Sequence, residues 1–316
     1  MSAVRVGFIG LGRMGMPMAR NLAAADIALT VYDARADVSR EFADTYGANA
    51  AADVAEVFTA ADLVVTMLPN GSIVRAVVTE GLATHPGGSG LVVDMSSSAP
   101  SDTATLAKLV ADHGWDLVDA PVSGGVARAE TGELSILAGG SAAAVDRAQP
   151  VFDVLGKQTF RVGAVGSGHT MKALNNVMSA AGLLLASETL LLGRKHGLEP
   201  EVMLSVLNAS TGRNHATETK IAPFVLSGSY ASGFAIDLMV KDLGIARELA
   251  REAGSPYLVG SLATSVWELA MRQAPEGADQ MELVRWLEEL AGMGLVAGPI
   301  VDTENSATLE GTRQRP

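Results

Sequence analysis

The sequence predicts an α/β domain, with a mostly parallel sheet covered by helices on both faces, followed by an all-α domain. Two observations support this prediction. Short apolar segments alternate with Ala-rich helical stretches up to about residue 163, and strand-like segments stop there. The chain of 316 residues is also about twice the usual size of one domain.

The first strand and helix lie at the N-terminus. The apolar segment 3–9 is typical of a buried strand, "GLGRMG" interrupts it, and "MPMARNLAAA" continues with helical periodicity. Further strands are predicted at IALTVYD (27–33), ADLVVTMLP (61–69), GLVVDMS (90–96), WDLVDAPV (115–122) and ELSILAGG (133–140). This alternation predicts a doubly wound sheet of the Rossmann type.

The second half is predicted to be helical. Residues 167–196 form one long helix of roughly 40 Å at about 1.5 Å per residue, which suits it to join two domains. Further helices are predicted at 199–208, 214–227, 236–253, 256–273 and 279–291. The polar, aperiodic residues 299–316 are expected to be a flexible tail without a function.

The turn after the first strand predicts a dinucleotide site. Gly10, Gly12 and Gly15 have the G-x-G-x-x-G spacing, and the motif follows a strand and opens a helix. Their missing side chains allow a tight turn, approach of a pyrophosphate and close packing of the helix. Arg13 and Met14 lie in the same turn and are expected to contact the cofactor. Residues 1–164 are expected to be the dinucleotide-binding domain.

Asp33 ends the second predicted strand, where a carboxylate can bind ribose hydroxyls and repel a 2′-phosphate. It therefore favours NAD over NADP. Arg35 keeps NADP as an alternative, because an arginine there can also bind that phosphate. The next strand ends should line the same crevice and supply cofactor contacts, namely Leu68, Pro69, Asn70 and Ser97. The alternative for Asn70 is that it serves only in a turn and as a helix cap.

Lys172, Asn175 and Asn176 are spaced at i, i+3 and i+4 near the start of the long helix. They therefore share one face and can converge on one small molecule. The alternative is that Lys172 extends its ammonium into water, as most helical lysines do.

Composition excludes several other functions. A net charge of −12 argues against nucleic-acid binding, and the absence of cysteine excludes disulfides and thiolate sites. No metal is expected, because the histidines lack ligand spacing and are interpreted as surface or capping residues: His85, His113, His169, His196 and His215. We recognise no signal peptide or membrane span, so a cytoplasmic location without membrane partners is expected.

The motifs resemble one family. "GFIGLGRMGMPMARNL", "DMSSSAP", "DAPVSGG", "GSGHTMKALNN" and "LMVKDLGIA" are similar, in order and spacing, to those of the β-hydroxyacid dehydrogenases. This group includes 3-hydroxyisobutyrate dehydrogenase and tartronate semialdehyde reductase, and the resemblance spans roughly residues 4–292. It implies two domains joined by a long helix, and assembly as a homodimer or homotetramer.

The resemblance also implies residue roles. Lys172 would be the catalytic lysine, and Lys241 would reach the cofactor and substrate side of the cleft. The substrate carboxylate would be bound by the segment that contains Ser123, Gly124 and Gly125. Asn176 would help to hold the substrate, together with Asn175 on the same helix face. Residues 165–298 would then form the helical substrate and dimerisation domain.

The predicted function is an NAD-dependent dehydrogenase of a short β-hydroxyacid, in which Lys172 donates or accepts the hydroxyl proton. The substrate choice stays open among 3-hydroxyisobutyrate, glycerate or tartronate semialdehyde, serine, hydroxypropionate and a sulfonate analogue. One alternative is an NADPH-dependent imine reductase, although Asp33 and Lys172 count against it. The other is a non-catalytic nucleotide-binding module.

Overall fold

The structure is a computed structural model and describes residues 4–83 and 88–296. The predicted tail at 299–316 lies outside the described residues. The chain divides into two compact units, each built from two stretches of sequence: Met1–Val177 with Lys241–Tyr257, and Met178–Val240 with Leu258–Pro316. The functional domain boundary between residues 164 and 165 stays a prediction.

The first unit contains a sheet of nine strands within its described residues. These are β1 (Val6–Ile9), β2 (Leu29–Tyr32), β3 (Asn49–Ala50), β4 (Leu63–Thr66), β5 (Leu91–Asp94), β6 (Asp116–Asp119), β7 (Val122–Ser123), β8 (Leu134–Gly139) and β9 (Gly156–Gly163). Their order is β3-β2-β1-β4-β5-β6-β8-β7, and β9 also pairs with β8.

The strands from β3 to β6 pair in parallel, whereas β8 is antiparallel to β6 and β7. The order of the first six strands, 3-2-1-4-5-6, is that of a doubly wound sheet. The predicted fold class is therefore confirmed. The parallel strand order brings the carboxyl ends of β1, β4 and β5 to one edge of the sheet, where ligands bind in such folds.

Two apolar layers bury the two faces of this sheet. Phe8 and Val65 belong to one layer, and their neighbours Ile9 and Val64 belong to the other. Because both faces are covered, the strands are continuous apolar runs rather than alternating ones. The covering helices are α1 (Gly15–Ala24), α2 (Ala36–Tyr46), α3 (Val54–Ala60), α4 (Gly71–Ala83), α5 (Pro100–Asp112), α6 (Gly125–Thr131) and α7 (Ala142–Leu155).

The C-terminal half is helical, as predicted. Its helices are α8 (Ser167–Lys195), α9 (Pro200–Ala209), α10 (His215–Thr219), α11 (Ile236–Ala253), α12 (Leu258–Gln273) and α13 (Glu282–Ala291). Among the described residues of the second unit, strand pairing is limited to one bridge between Ala235 and Asp279. The long helix α8 begins in the first unit and ends in the second.

Some elements differ from the prediction. Strands β3 and β7 have two residues each, which is too short for a periodic pattern, and β9 is mostly exposed and polar. The helix predicted at 214–227 is divided into α10 and a π-helical turn, Ile221–Leu226. Pro223 lies in that turn and has no N–H to donate, so one regular α-helical hydrogen bond is missing there.

Helix α8 is long and apolar enough, by length and composition, to cross a membrane. A core helix of a globular protein meets the same criterion. Three polar residues of its first three turns, His169, Lys172 and Asn176, are buried within the first unit. His169 and Asn176 have hydrogen-bond partners within the protein, as buried polar residues of a core helix do.

Candidate active site

The glycine turn between β1 and α1 has the form that a dinucleotide requires. Gly10 has a φ of 103°, and a side chain there would collide with the carbonyl of Met67. A side chain at Gly15 would collide with the carbonyl of Gly10, so only glycine lets α1 start this close to β1. The space around Gly12 is open, and Arg13 beside it is exposed. The residues present therefore fit a pyrophosphate over Gly12.

Asp33 follows β2 and is attached to the same turn. Its Oδ2 accepts a hydrogen bond from the backbone N–H of Leu11 at 2.8 Å, and its Oδ1 accepts one from Arg35 N at 3.0 Å. The Arg35 guanidinium lies 3.5 Å from the same carboxylate, with 67% of its side chain exposed. The two residues that are predicted to decide between NAD and NADP therefore form one ion pair beside the glycine turn.

The loop after β4 connects the cofactor turn to the rest of the site. Leu68 N donates to Ser96 Oγ at 2.9 Å, and the carbonyl of Pro69 accepts from Lys241 Nζ at 3.2 Å. The Oδ1 of Asn70 accepts from Ser72 Oγ and from Ile73 N, so it caps helix α4. The capping explanation of Asn70 is thus supported, and its contact with a cofactor stays a prediction.

The predicted carboxylate-binding segment lies where β7 meets α6. Ser123 ends β7 and pairs with Ser135 of β8. Gly124 and Gly125 follow with φ values of 136° and 69°, which other residues rarely adopt. The contact of this segment with a substrate stays a prediction.

The N-terminus of α8 packs against the strand ends of the same sheet. A side chain at Gly168 would collide with the carbonyls of Asp119 and Leu137, so glycine lets the helix approach β6 and β8. Strand β8 also pairs with β7, which carries Ser123. The lysine helix and the predicted carboxylate segment are therefore attached to one strand.

Lys172, which is 9% exposed, lies one turn further along α8. Burial lowers the pKa of Lys172, nearby Asp242 partly opposes that effect, and Lys241 adds to it. A lowered pKa increases the fraction of neutral amine near neutral pH. The alternative in which this ammonium extends into water is therefore wrong.

Asp242 joins the predicted residues into one cluster. Its carboxylate accepts a hydrogen bond from Ser97 Oγ at 2.7 Å and one from Asn176 Nδ2 at 2.5 Å, and the residue is 1% exposed. Asn175 Nδ2 in turn donates to Asn176 Oδ1 at 3.2 Å. The sequence prediction did not include Asp242, although it lies next to Lys241.

Lys241 contacts the loops that follow β4 and β5. Its Nζ donates to the carbonyl of Ser97 at 2.6 Å as well as to that of Pro69, and it lies 3.5 Å from Asp242 Oδ1. One lysine thus bridges the loops after β4 and β5. It links the predicted cofactor loops to the cluster around Lys172.

One histidine prediction is wrong. His169 is not a surface or capping residue, because it is 1% exposed and lies between the carboxylates of Asp94 and Asp119. Within residues 4–83 and 88–296, no group of three or more acidic or histidine side chains is arranged to hold a metal ion.

The fold and this cluster define a dinucleotide-binding protein with a buried lysine at its site. Residues 5–164 match the family described as the NAD binding domain of 6-phosphogluconate dehydrogenase. Residues 166–287 match the NAD-binding family of NADP-dependent 3-hydroxyisobutyrate dehydrogenase.

Individual proteins agree with these matches. The chain is 38% identical to 2-(hydroxymethyl)glutarate dehydrogenase of Eubacterium barkeri, over 94% of this chain and 99% of the relative. It is 35% identical to NAD-dependent L-serine dehydrogenase of Pseudomonas aeruginosa, over 85% and 93%. A solved structure of Mycobacterium tuberculosis 3-hydroxyisobutyrate dehydrogenase with L-serine has a TM-score of 0.83 at 29% identity, covering 90% and 99%.

The chain therefore belongs to the β-hydroxyacid dehydrogenase family, and it is an NAD-binding oxidoreductase. An imine reductase from Myxococcus stipitatus has a TM-score of 0.61 at 19% identity. At this identity the similarity shows a shared fold and nothing further.

Proposed function

We propose that this protein transfers a hydride between NAD and a short-chain β-hydroxyacid, with Lys172 as the group that accepts or donates the hydroxyl proton. The observation that carries the proposal is the buried amine of Lys172, with a lowered pKa, beside the carboxylate of Asp242. A buried titratable group with a shifted pKa and a defined charged partner is typical of catalytic sites.

Bound NAD supplies the hydride acceptor at the substrate carbon, and reduced NAD supplies the donor. In oxidation, neutral Lys172 accepts the proton from the substrate hydroxyl as the carbonyl forms. In reduction, the ammonium of Lys172 donates a proton to the developing alkoxide and stabilises its charge. A lowered pKa serves both directions, because it increases the fraction of neutral amine for oxidation and makes the ammonium a stronger acid for reduction.

The surrounding residues hold the reacting groups in place. Asp242 fixes the amide of Asn176 by its 2.5 Å hydrogen bond, and Asn176 Oδ1 in turn accepts a hydrogen bond from Asn175 Nδ2. Lys241 fixes the loop carbonyls of Pro69 and Ser97. We assign Asn175 and Asn176 to the substrate, and Lys241 and Ser97 to the cofactor edge.

The substrate carboxylate is assigned to Ser123, Gly124 and Gly125. A hydroxyl and peptide N–H groups not covered by side chains are suitable donors to a carboxylate. The named relatives act on 2-(hydroxymethyl)glutarate and L-serine, both of which combine a carboxylate with a hydroxyl on the β-carbon. We propose the same substrate class here, including 3-hydroxyisobutyrate, glycerate and sulfonate analogues.

The first test is the absorbance of reduced nicotinamide while the purified protein is offered NAD or NADP with a panel of β-hydroxyacids. The panel contains hydroxyisobutyrate, glycerate, serine, hydroxypropionate, 2-(hydroxymethyl)glutarate and dihydroxypropanesulfonate. We expect reduction of NAD with at least one of them. If no acid of the panel causes reduction of NAD or NADP while NAD still binds, the proposed substrate class is contradicted. Reduction of NADP alone would contradict the role of Asp33.

We also propose that the protein is a homodimer or homotetramer. Met178, Leu185 and Leu192 lie on α8 at intervals of seven residues and are 76%, 63% and 62% exposed. Apolar side chains at this spacing form a stripe along one helix face that is suited to packing against another helix. A second copy of the chain is the proposed partner, and sedimentation velocity tests it.

A further inference from the structure

The imidazole of His169 occupies a fully enclosed position one turn before Lys172 on α8. Its Nε2 lies 3.1 Å from the carbonyl oxygen of Ser96, and its Nδ1 lies 2.7 Å from Thr103 Oγ1. Ser96 belongs to the loop after β5, and Thr103 belongs to α5. One side chain therefore joins the lysine helix to two other elements of the first unit.

The partners determine which atoms carry protons. The carbonyl of Ser96 can only accept, so Nε2 of His169 must be the donor whether the ring is neutral or charged. The Thr103 hydroxyl can donate to Nδ1 or accept from it, because the carbonyl of Ala99 lies 3.1 Å from the same oxygen. The bond from His169 to Ser96 is thus present in both charge states of the ring.

Two buried carboxylates hold this ring from opposite sides. Asp94 Oδ2 lies 3.7 Å from Nε2, and Asp119 Oδ2 lies 3.7 Å from Nδ1. Asp119 also accepts hydrogen bonds from Gly166 N and His169 N, which fixes the first turn of α8. Burial raises the pKa of Asp119, and the nearby His169 opposes that effect. The ring therefore has little freedom to leave its position.

The carbonyl that His169 binds belongs to Ser96, which lies next to a residue that contacts both Asp242 and Lys241. Ser96 precedes Ser97, whose hydroxyl donates to Asp242 and whose carbonyl accepts from Lys241. Ser96 Oγ also accepts from Leu68 N in the loop after β4. We name residues 96–98 the serine loop. A shift of this loop relative to α8 would displace the charges that surround Lys172.

We propose that His169 is a positioning residue, which ties the serine loop to α8 and so fixes Lys172 against Asp242 and Lys241. This inference rests on the proposed function of Lys172. It predicts that removal of the Nε2 donor changes the rate of proton transfer more than it changes substrate or cofactor binding. Displacements of about 1 Å can cost roughly 100-fold in rate at such sites.

The kinetic test compares three variants of the full-length protein with NAD and a hydroxyacid that the absorbance panel identifies as a substrate. His169→Leu removes both ring nitrogens, and His169→Asn places an amide near Nδ1 but is too short to reach Ser96. His169→Gln can place its amide nitrogen near Nε2. We expect kcat to fall by about tenfold or more in the Leu and Asn variants, with KM and the Kd for reduced NAD unchanged.

His169→Gln is expected to restore most of kcat. His113→Leu is the matched control, because the Nδ1 of His113 lies 2.9 Å from a carbonyl of its own helix. Unchanged kcat in His169→Leu would overturn the proposal, as would equal losses in the Gln and Asn variants. If the Leu variant does not fold, the comparison of kcat between the Gln and Asn variants still tests the positioning role of His169.

A second readout needs no substrate. Competitive acetylation followed by mass spectrometry measures the reactivity of the Lys172 amine at a fixed pH, with exposed Lys108 as the internal reference. We expect His169→Asn to change the relative labelling of Lys172 by about threefold or more, since its charged surroundings change, and His169→Gln to leave it unchanged.

Equal labelling of Lys172 in the wild type and His169→Asn would overturn the positioning role. If no hydroxyacid is turned over, the proposed function fails separately, and labelling alone decides on His169. A double-mutant cycle of His169→Leu with Ser97→Ala tests the route: non-additive losses of kcat support coupling through the serine loop, and additive losses contradict it.

Discussion

The substitution Asp242→Asn removes one charge from the centre of the site and almost no volume. The buried carboxylate accepts two hydrogen bonds, from Ser97 and from Asn176. Asparagine keeps one acceptor oxygen and places an NH₂ group where the other oxygen was. Bonds to charged groups contribute about 1.5–3 kcal/mol each and neutral ones about 1 kcal/mol, so replacing two charged bonds by one neutral bond should lower the free energy of unfolding by about 2–5 kcal/mol.

The same substitution should change the pH dependence of catalysis. The carboxylate of Asp242 raises the pKa of Lys172, against the larger lowering caused by burial. Without the carboxylate this pKa falls further. Because the neutral amine is the base in oxidation, the acidic limb of the kcat/KM profile should move to lower pH.

Urea denaturation and a pH–rate profile in the oxidation direction measure both effects. Asp237→Asn is the matched control, because Asp237 lies on the same helix and is exposed. Two results would refute the reasoning. Asp242→Asn could unfold at the same urea concentration as the wild type, or its acidic limb could move to higher pH.

Three further predictions concern single residues. Lys172→Met should increase the free energy of unfolding at neutral pH, because burial disfavours the ammonium. The gain should fall as the pH rises above the lowered pKa of folded Lys172 and should be absent above the ordinary lysine pKa of 10.5, which denaturation at several pH values measures. Asn70→Ala removes the cap of α4 and should cost about 1 kcal/mol in urea denaturation, while an unchanged Kd for reduced NAD would exclude a cofactor contact. Leu185→Glu should reduce the oligomer to smaller species in sedimentation velocity, and an unchanged sedimentation coefficient would exclude this helix face as an interface.

Local chemistry made the cofactor turn predictable. The spacing of Gly10, Gly12 and Gly15 between a strand and a helix constrains the backbone strongly, and the structure has the φ and the close carbonyl approach that require glycine. Helical periodicity likewise placed Lys172 and Asn176 on one face. The φ of Gly10, the approach of Gly15 to the Gly10 carbonyl and the spacing on α8 all involve residues close in sequence.

The rest of the site depends on contacts between distant parts of the chain. Asp242 lies between Met239 and Leu243 on the buried face of α11, and that spacing was available as an indication that the aspartate is buried. Nothing local identifies Asn176 and Ser97 as its partners. The enclosed position of His169 depends on the packing of α5, α8 and the loop after β5, which periodicity in one segment does not predict.

In the proposed reaction, the Lys172 amine moves the hydroxyl proton of the substrate. The most direct measurement is the rate of nicotinamide reduction in a single turnover by wild-type protein and Lys172→Met, with the Kd for NAD determined by calorimetry on the same samples. We predict that the variant binds NAD with the wild-type Kd and loses at least about a thousandfold in rate, because the acid–base group is absent. A variant that binds NAD and reduces it within about tenfold of the wild-type rate would contradict the account.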